Sequence, residues 1–401
     1  MRQILAIFYR FWNFSKEKKV PAGLAFFVII ILSTFIGGFL VRYSSTMEFP
    51  FASSIKLEPK KNFATLEEKK KRPKPGPISM KVIKTKGCVA DGILSGYGDN
   101  PNSMVKFIHQ SNCRYLHRAL ETWLLAPDFD KADGFIDEID RPDMVYGMFI
   151  AEALNKKSKL YFEDESRYFD FYKMCRPGSN NVWGEHTCKP SLNKKEYQKY
   201  VKYITRRAMD LGIQSFLFGQ VFYQDSADMD ETKMPEIIDY MRDYAKQIGI
   251  DIIIGAQTNN ITDEKYLRLF DYIEGGVGID GNGDIENGPC LSSKSSCWAL
   301  LWHDNYASKA NNVFLHLDWS AIIYDDMGIY ARMDQDMRIK TVKNLYNFFT
   351  KKNMGFMVPM FAPLHRQNDG CYGPKKRFYS ADDKYKCKDE DAINDILKNG
   401  N

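Results

Sequence analysis

MPEIIDYMRDYAKQIGIDIIIGAQ, residues 234–257, is the stretch that decides the fold. Its first part, Met234 to Ile248, reads as an amphipathic helix that stops at Gly249, a residue suited to the left-handed turn that ends helices. The apolar run DIIIGAQ follows at once and reads as a buried strand. The same helix-then-strand unit recurs at 197–211, stopped by Gly212 and followed by IQSFLFG from Ile213, and at 334–352, followed by GFMVPMF from Gly355.

Working outward from these units gives eight strand candidates. Besides IQSFLFG, DIIIGAQ and GFMVPMF they are CVADGIL from Cys88, RYLHRAL from Arg114, KLYFE from Lys159, DYIEGG from Asp271 and VFLHLD from Val313. Strands alternating with helices mark an α/β domain. Eight of them over residues 82–395 suit a (β/α)₈ TIM barrel, whose usual size is roughly 250 residues plus insertions. An open doubly wound sheet is the other arrangement to weigh. It lacks a phosphate-binding fingerprint, because GGVGIDGNGDIENG from Gly275 follows no strand-to-helix layout of that kind and reads as a long loop. The third barrel unit is the least regular: the stretch 123–194 is long, shows little period, and could be an insertion lying over the barrel mouth.

Toward the N-terminus the composition changes twice. Residues 20–41, VPAGLAFFVIIILSTFIGGFLV, carry no charge, and about 20 such residues cross a bilayer as a helix. A cleaved signal peptide usually has a shorter apolar core, of about 7–15 residues, so an uncleaved anchor is expected. Arg2, Arg10, Lys16, Lys18 and Lys19 precede the run and Arg42 stands nearly alone after it. The positive-inside bias therefore expects a short cytoplasmic N-terminus at 1–19, a transmembrane helix at 20–41, and an extracytoplasmic remainder. Between them, residues 42–81 include KLEPKKNFATLEEKKKRPKPGPISMK, a Lys- and Pro-rich linker that holds the domain off the lipid bilayer.

The cysteines agree with that orientation. All eight lie beyond the apolar run, and disulfides belong to oxidising compartments. They fall into local couples: Cys88 with Cys113, Cys175 with Cys188, Cys290 with Cys297, and Cys371 with Cys387. The other reading is eight scattered buried thiols, since connectivity is not fixed by sequence. No couple has the close C-x₂₋₄-C spacing of structural zinc sites. The balance of 56 basic against 51 acidic residues gives no argument for nucleic acid.

In a barrel of this kind chemistry sits at the C-terminal ends of the strands. There the sequence places Asp91, Arg118 and Glu121, Gln220 with Asp225 shortly after, Gln257 and Asn259, Glu274, and His316 with Asp318. Two carboxylates flanking a sugar ring are what glycosidic cleavage needs, one as proton donor and one as nucleophile or base. Glu274 and Asp318, on neighbouring strands, are the expected catalytic pair, with Asp225 and Glu121 as substitutes. His316 shares a strand face with Asp318 by the period of two. Each acid taken alone is as well explained as a helix cap or a partner for Arg118. Trp123, Trp298, Trp302 and Trp319, with Tyr97 and Tyr223, follow strands and offer flat faces for sugars, although aromatic residues make up 14% of the chain and most serve the core.

With its strand rhythm, Glu274, Asp318 and the loop tryptophans, the chain resembles (β/α)₈ glycoside hydrolases at the superfamily level. The resemblance implies a polysaccharide or glycan partner and no cofactor. It departs at the fourth strand, where the Asn-Glu pair of many such enzymes is replaced by Gly219 and Gln220, and a glutamine cannot serve as a general acid. The sequence therefore leads to a membrane-anchored glycoside hydrolase of an extracellular or wall polysaccharide, against a rival of a different class, a non-catalytic carbohydrate-binding or envelope-scaffolding barrel. The histidines show no HxxxH or HExxH spacing and no G-x-S-x-G elbow is present, which argues against zinc and serine hydrolases.

Overall fold

The computed structural model describes residues 72–97, 101–225, 232–285, 300–318, 326–361 and 389–399, all within one compact unit, Lys70–Asn401. The expected transmembrane helix at 20–41, the linker up to residue 71, Cys290, Cys297, Cys371, Cys387, Trp298 and Trp319 lie outside the described residues. Among the described residues no helix is long and apolar enough to cross a membrane.

Eight parallel strands form the core: β1 Gly87–Val89, β2 Tyr115–Glu121, β3 Val145–Ile150, β4 Ser215–Phe218, β5 Ile253–Ala256, β6 Tyr272–Gly276, β7 Val313–His316 and β8 Gly355–Phe356. They pair in that order, each with the next. The sheet closes just beyond β8, where Val89 N–H donates to Val358 O (2.9 Å) and Val358 N–H donates to Gly87 O (3.0 Å). This is the (β/α)₈ barrel expected from the sequence. Its strands are near-continuous buried runs, as strands covered on both faces must be.

The helices are α1 Met80–Lys86, α2 Pro101–Gln110, α3 Phe129–Ile139, α4 Lys195–Asp210, α5 Val221–Gln224, α6 Met234–Ile248, α7 Glu264–Leu267, α8 Asp304–Ala307, α9 Asp326–Ala331, α10 Gln335–Lys351 and α11 Glu390–Asn399. Gly249 ends α6 in the left-handed region (φ 70°), its N–H closing onto Ala245 O and Lys246 O. Asp334 starts α10 by accepting from Met337 N–H.

One strand differs from the sequence expectation. KLYFE does not enter the barrel: Tyr161–Phe162 pairs antiparallel with Arg167–Tyr168 in a small hairpin, and the third strand is VYGMFI. The glycine within VYGMFI weakens its strand signal, while KLYFE carries aromatic residues that strengthen one. Gly147 is there for space, since a Cβ would stand 3.0 Å from Arg118 N and 3.1 Å from Leu116 O on the neighbouring strand.

The stretch after β3 is an excursion fastened to α4. Phe169 and Phe171 lie 5.5 and 5.4 Å from Tyr200, and Arg206 and Arg207 pair with Asp164 and Glu163 at 2.7 Å each. The excursion carries the Cys175–Cys188 disulfide, and Cys88–Cys113 ties β1 to the entry of β2. Both match the expected couples. The domain also begins before residue 82: Arg72 pairs with Asp133 at 2.9 Å, Lys74 donates to Ile248 O at 2.7 Å, and Gln214 donates to Gly76 O at 2.9 Å. These residues, read as linker, pack against the N-terminal end of the barrel, where β4 and β5 begin.

Inside the barrel the Tyr272 ring lies over Gly255 and stacks on Phe314 at 4.2 Å, 19° from parallel. A Cβ at position 255 would fall 2.1 Å from Tyr272 Cζ. Gly255→Ala is expected to destabilise the domain by about 1–3 kcal/mol through overpacking, which urea unfolding measures.

Candidate active site

The C-terminal strand ends bring most of the predicted polar residues together, with a bulge in β2 as the pivot. Register shifts between Leu116 and Leu120, and Arg118 takes a positive φ of 58°. Such a bulge re-aims a side chain. The Arg118 Nε lies 3.1 Å from Asp91 Oδ1, its Nη2 donates to Glu121 Oε1 at 3.1 Å, and its guanidinium sits 4.0 Å above the Phe149 ring. Burial opposes its charge, but Asp91, Glu121, Glu274 and Asp318 outweigh burial and push its pKa upward. Glu121 answers in the other direction: burial, against the pull of Arg118, pushes its carboxyl up to about 7.

Below this level runs a buried chain of titratable groups. Tyr115 OH bonds Ser215 Oγ (2.8 Å) and His117 Nδ1 (2.7 Å), and Ser215 Oγ reaches Tyr272 OH (3.3 Å). His117 Nε2 then meets Glu274 Oε2 at 2.7 Å, and Glu274 Oε1 meets His316 Nδ1 at 3.1 Å and accepts from Gln257 Nε2 at 3.1 Å. His316 Nε2 lies 3.6 Å from Asp318 Oδ1. The Glu274 side chain is 0% exposed and that of Asp318 is 39% exposed, so one imidazole separates a sealed carboxylate from an open one.

The electrostatics follow from those contacts. Burial would raise the Glu274 pKa, yet the charges of His117 and His316, the His117 bond and Arg118 bring it down to about 2. Burial would lower that of His316, yet Glu274 and Asp318 hold it above the ordinary imidazole value. Asp318 is held below the ordinary carboxylate value, because the His316 bond and the charges of His316 and Arg118 outweigh burial.

A second set of groups crosses the ends of β3 to β5. Glu152 Oε1 accepts from Gln220 Nε2 at 2.6 Å, and Gln220 Oε1 accepts from Asn259 Nδ2 at 3.3 Å. Glu152 is 2% exposed, its Oε2 has no partner among the described residues, and burial is the chief reason its pKa is raised. Gly219 makes the room for it: a Cβ there would stand 2.3 Å from Glu152 Oε2.

Several expected residues serve the framework instead. Asp225 accepts from Lys233 N–H (2.7 Å) and Tyr266 OH (2.9 Å), and so anchors the entry to α6. Trp302 is buried and its Nε1–H donates to Val277 O at 2.8 Å. Trp123 is half-buried and stands edge-on to Trp183 at 5.4 Å. Glu152, His117 and Asp326 were not singled out from sequence. Asp326 gathers the N–H groups of Val277, Gly278, Ile279 and Asp318 at 2.9–3.3 Å, while burial and the Asp318 charge push its carboxyl up to about 6. His117 was legible as the period-two neighbour of Tyr115 in β2; Glu152 was lost with the misplaced third strand. Among the described residues no three His, Cys, Asp or Glu side chains are grouped to hold a metal ion.

No family model matches the chain, and no curated protein does. Solved structures similar to it include a GH27 β-L-arabinopyranosidase variant from Geobacillus stearothermophilus (12% identity, 51% of this chain and 53% of that one, TM-score 0.29). A cyclic α-maltosyl-(1→6)-maltose hydrolase from Arthrobacter globiformis is another (11% identity, 78% and 76%, TM-score 0.46), as is an isomalto-dextranase from Arthrobacter globiformis T6 (10% identity, 82% and 59%, TM-score 0.36). The match thus spans about half the length of the first. Likenesses at this level carry no argument about chemistry, and the barrel is established by its own strand order.

The buried chain sets a pH dependence of stability. The Glu274 pKa of about 2 lies below the unfolded value of about 4.3, so its contribution is present above that value and is lost as pH falls toward 2. His316 is displaced upward, so its contribution is full below about 6.5 and is lost as pH rises through its folded pKa. Glu274→Gln leaves the imidazoles without their counter-charge and is expected to cost about 3–5 kcal/mol. Urea unfolding at about pH 5.5 and about pH 8.5 checks this, with the larger loss expected at the lower pH, where His316 is charged in the parent.

Proposed function

We propose that this barrel is a glycoside hydrolase-like enzyme acting on an extracellular or wall polysaccharide, and that Asp318 and Glu152 are its reacting carboxyl groups. The observation that supports this is the placement of two carboxyls at the strand ends, Asp318 39% exposed and 3.6 Å from His316 Nε2, and Glu152 held on one oxygen by Gln220 with the other unpartnered among the described residues; their surroundings displace them in opposite directions. Asp318, accessible at the mouth, is driven toward its ionised form by His316, while Glu152 is driven toward its neutral form by burial, with the Asp318 charge adding to the push. Pairs of titratable groups whose surroundings separate their pKa values mark acid and base assignments. In this reading Glu152 protonates the glycosidic oxygen and Asp318 attacks the anomeric carbon or activates water. Glu274, expected from sequence to react, has both oxygens engaged, one by His117 and the other by His316 and Gln257, and we assign it to positioning His316 and through it Asp318.

Asp318→Asn is expected to lower kcat by about 10²–10⁴, the range for loss of a positioned acid–base group. Glu152 must hold its proton, so activity falls as pH rises through its pKa; Asp318 must be ionised, so activity falls as pH drops through its own. Glu152→Gln should therefore remove the alkaline fall in the pH profile. Full activity in the double variant would overturn the assignment. One observation favours the rival reading, a barrel that binds sugar without cleaving it: an amide, Gln220, occupies the end of β4 and spends its own donor on Glu152. Glycan binding without reducing ends over long incubation would decide for it.

We also propose that residues 20–41 anchor the chain with its N-terminus cytoplasmic and the barrel outside. The charge asymmetry around that run and the two disulfides support this. Alkaline extraction of membranes is expected to leave the full chain in the pellet and to release a chain lacking residues 1–41. Release of both would contradict the anchor.

A further inference from the structure

A groove of about 350 Å³ lies beside the barrel mouth, between the disulfide loop of the excursion and α5, and includes Arg176, Ser179, Val182, Lys189, Phe222 and Tyr223 in its lining. Its two cations are spaced by covalent and hydrogen-bonded structure. Arg176 follows Cys175 and Lys189 follows Cys188, the two halves of one disulfide. Arg176 N–H donates to Lys189 O at 2.7 Å, and Ser179 Oγ accepts from Lys189 N–H at 3.1 Å while donating to Arg176 O at 2.7 Å. Arg176 also donates to Phe222 O (3.3 Å) and Tyr223 O (3.4 Å), which fixes the loop to α5.

Lys189 Nζ stands 3.2 Å from the centroid of the Tyr223 ring, and among the described residues no carboxylate lies within ion-pair distance of it. Burial and the Arg176 charge lower its pKa against the pull of Glu152, so it feels the proposed acid of the barrel mouth. Phe222, two residues from Gln220, is 42% exposed. Gln224 ties the same segment to the strand ends: its Nε2 donates to Ile150 O at 3.1 Å, and its backbone carbonyl accepts from Leu192 N–H at 2.7 Å.

We propose that this groove is a subsite for an acidic glycan, with the anionic group of one sugar held by Lys189 beside Arg176 and a sugar face resting on Phe222. The chemistry is charge complementarity joined to a flat apolar face: the Lys189 cation, with no carboxylate within ion-pair distance among the described residues, and an exposed ring, on a support held by a disulfide. A neutral glycan would use the ring alone. The inference rests on the carbohydrate reading above and adds the class of chain that the site selects.

The test is calorimetric binding to the full chain in detergent, using three oligosaccharides of equal length: oligogalacturonate, a phosphate-bearing oligosaccharide and a neutral isomalto-oligosaccharide. Either acidic chain is expected to bind about tenfold more tightly than the neutral one, the worth of one charge-assisted contact, and the tighter of the two identifies the anion. Lys189→Met should remove that preference, and about 1 M salt should remove it in the unaltered chain, where folding is not in question. Phe222→Ala should weaken acidic and neutral chains alike. Equal binding of acidic and neutral chains, or a preference untouched by both salt and Lys189→Met, overturns the proposal. The same titrations in Asp318→Asn separate the two readings: preference without turnover leaves the groove standing even where no enzyme activity is found.

Discussion

A carboxylate with no exposure, Glu274 on β6, sits between an imidazole from β2 and another from β7, and the barrel mouth is arranged around it. Burying an ion costs several kcal/mol unless it is paired well, and neither imidazole alone meets both of its oxygens. β2 and β6 are four strands apart in the ring, so the His117 contact spans the barrel from side to side. Tyr115 and Tyr272, bridged by Ser215 of β4, span the same pair of strands one layer below. Alternate strands fill a barrel interior in layers, and here two levels contributed by β2 and β6 carry polar side chains. The consequence reaches the surface through His316, whose second nitrogen faces Asp318.

The opposite rim, over β3 and β4, is built on different physics. There the group is a carboxyl short of partners, Glu152, made possible by the missing side chain of Gly219 and held on one oxygen by Gln220. Gln220 itself has a positive φ of 22°, a backbone state that a non-glycine residue holds only when its surroundings demand it. The two rims thus differ in the way acid–base chemistry needs, one favouring the ion and the other the neutral acid.

Much of the barrel was legible in the sequence because its units are local. A helix closed by Gly249 or Gly212 and followed at once by a buried run needs no tertiary information to be read; three strands follow a helix in this way, and four more stand out as apolar runs. The third was lost because Gly147, required by close strand approach, looks from sequence like a weakness, while an aromatic hairpin 16 residues on from Val145 looks like strength. That one substitution of KLYFE for VYGMFI also hid Glu152, which lies two residues beyond the true strand. The polar ring was legible as a set of positions but not as a set of roles. Whether Glu274 reacts or supports depends on burial and on His117 across the barrel, and no spacing in the chain records a contact between residues 157 positions apart.

The measurement that tests this account most directly is a pH titration of the imidazole signals by nuclear magnetic resonance, with His316 identified by its loss in His316→Asn. The buried Glu274 carboxylate predicts that His316 titrates above the ordinary imidazole value of about 6.5 and moves down in Glu274→Gln. A His316 that titrates at or below that value, or that is indifferent to Glu274, would mean that the centre of the barrel is not held by this ion pair and that Asp318 is not tuned through it.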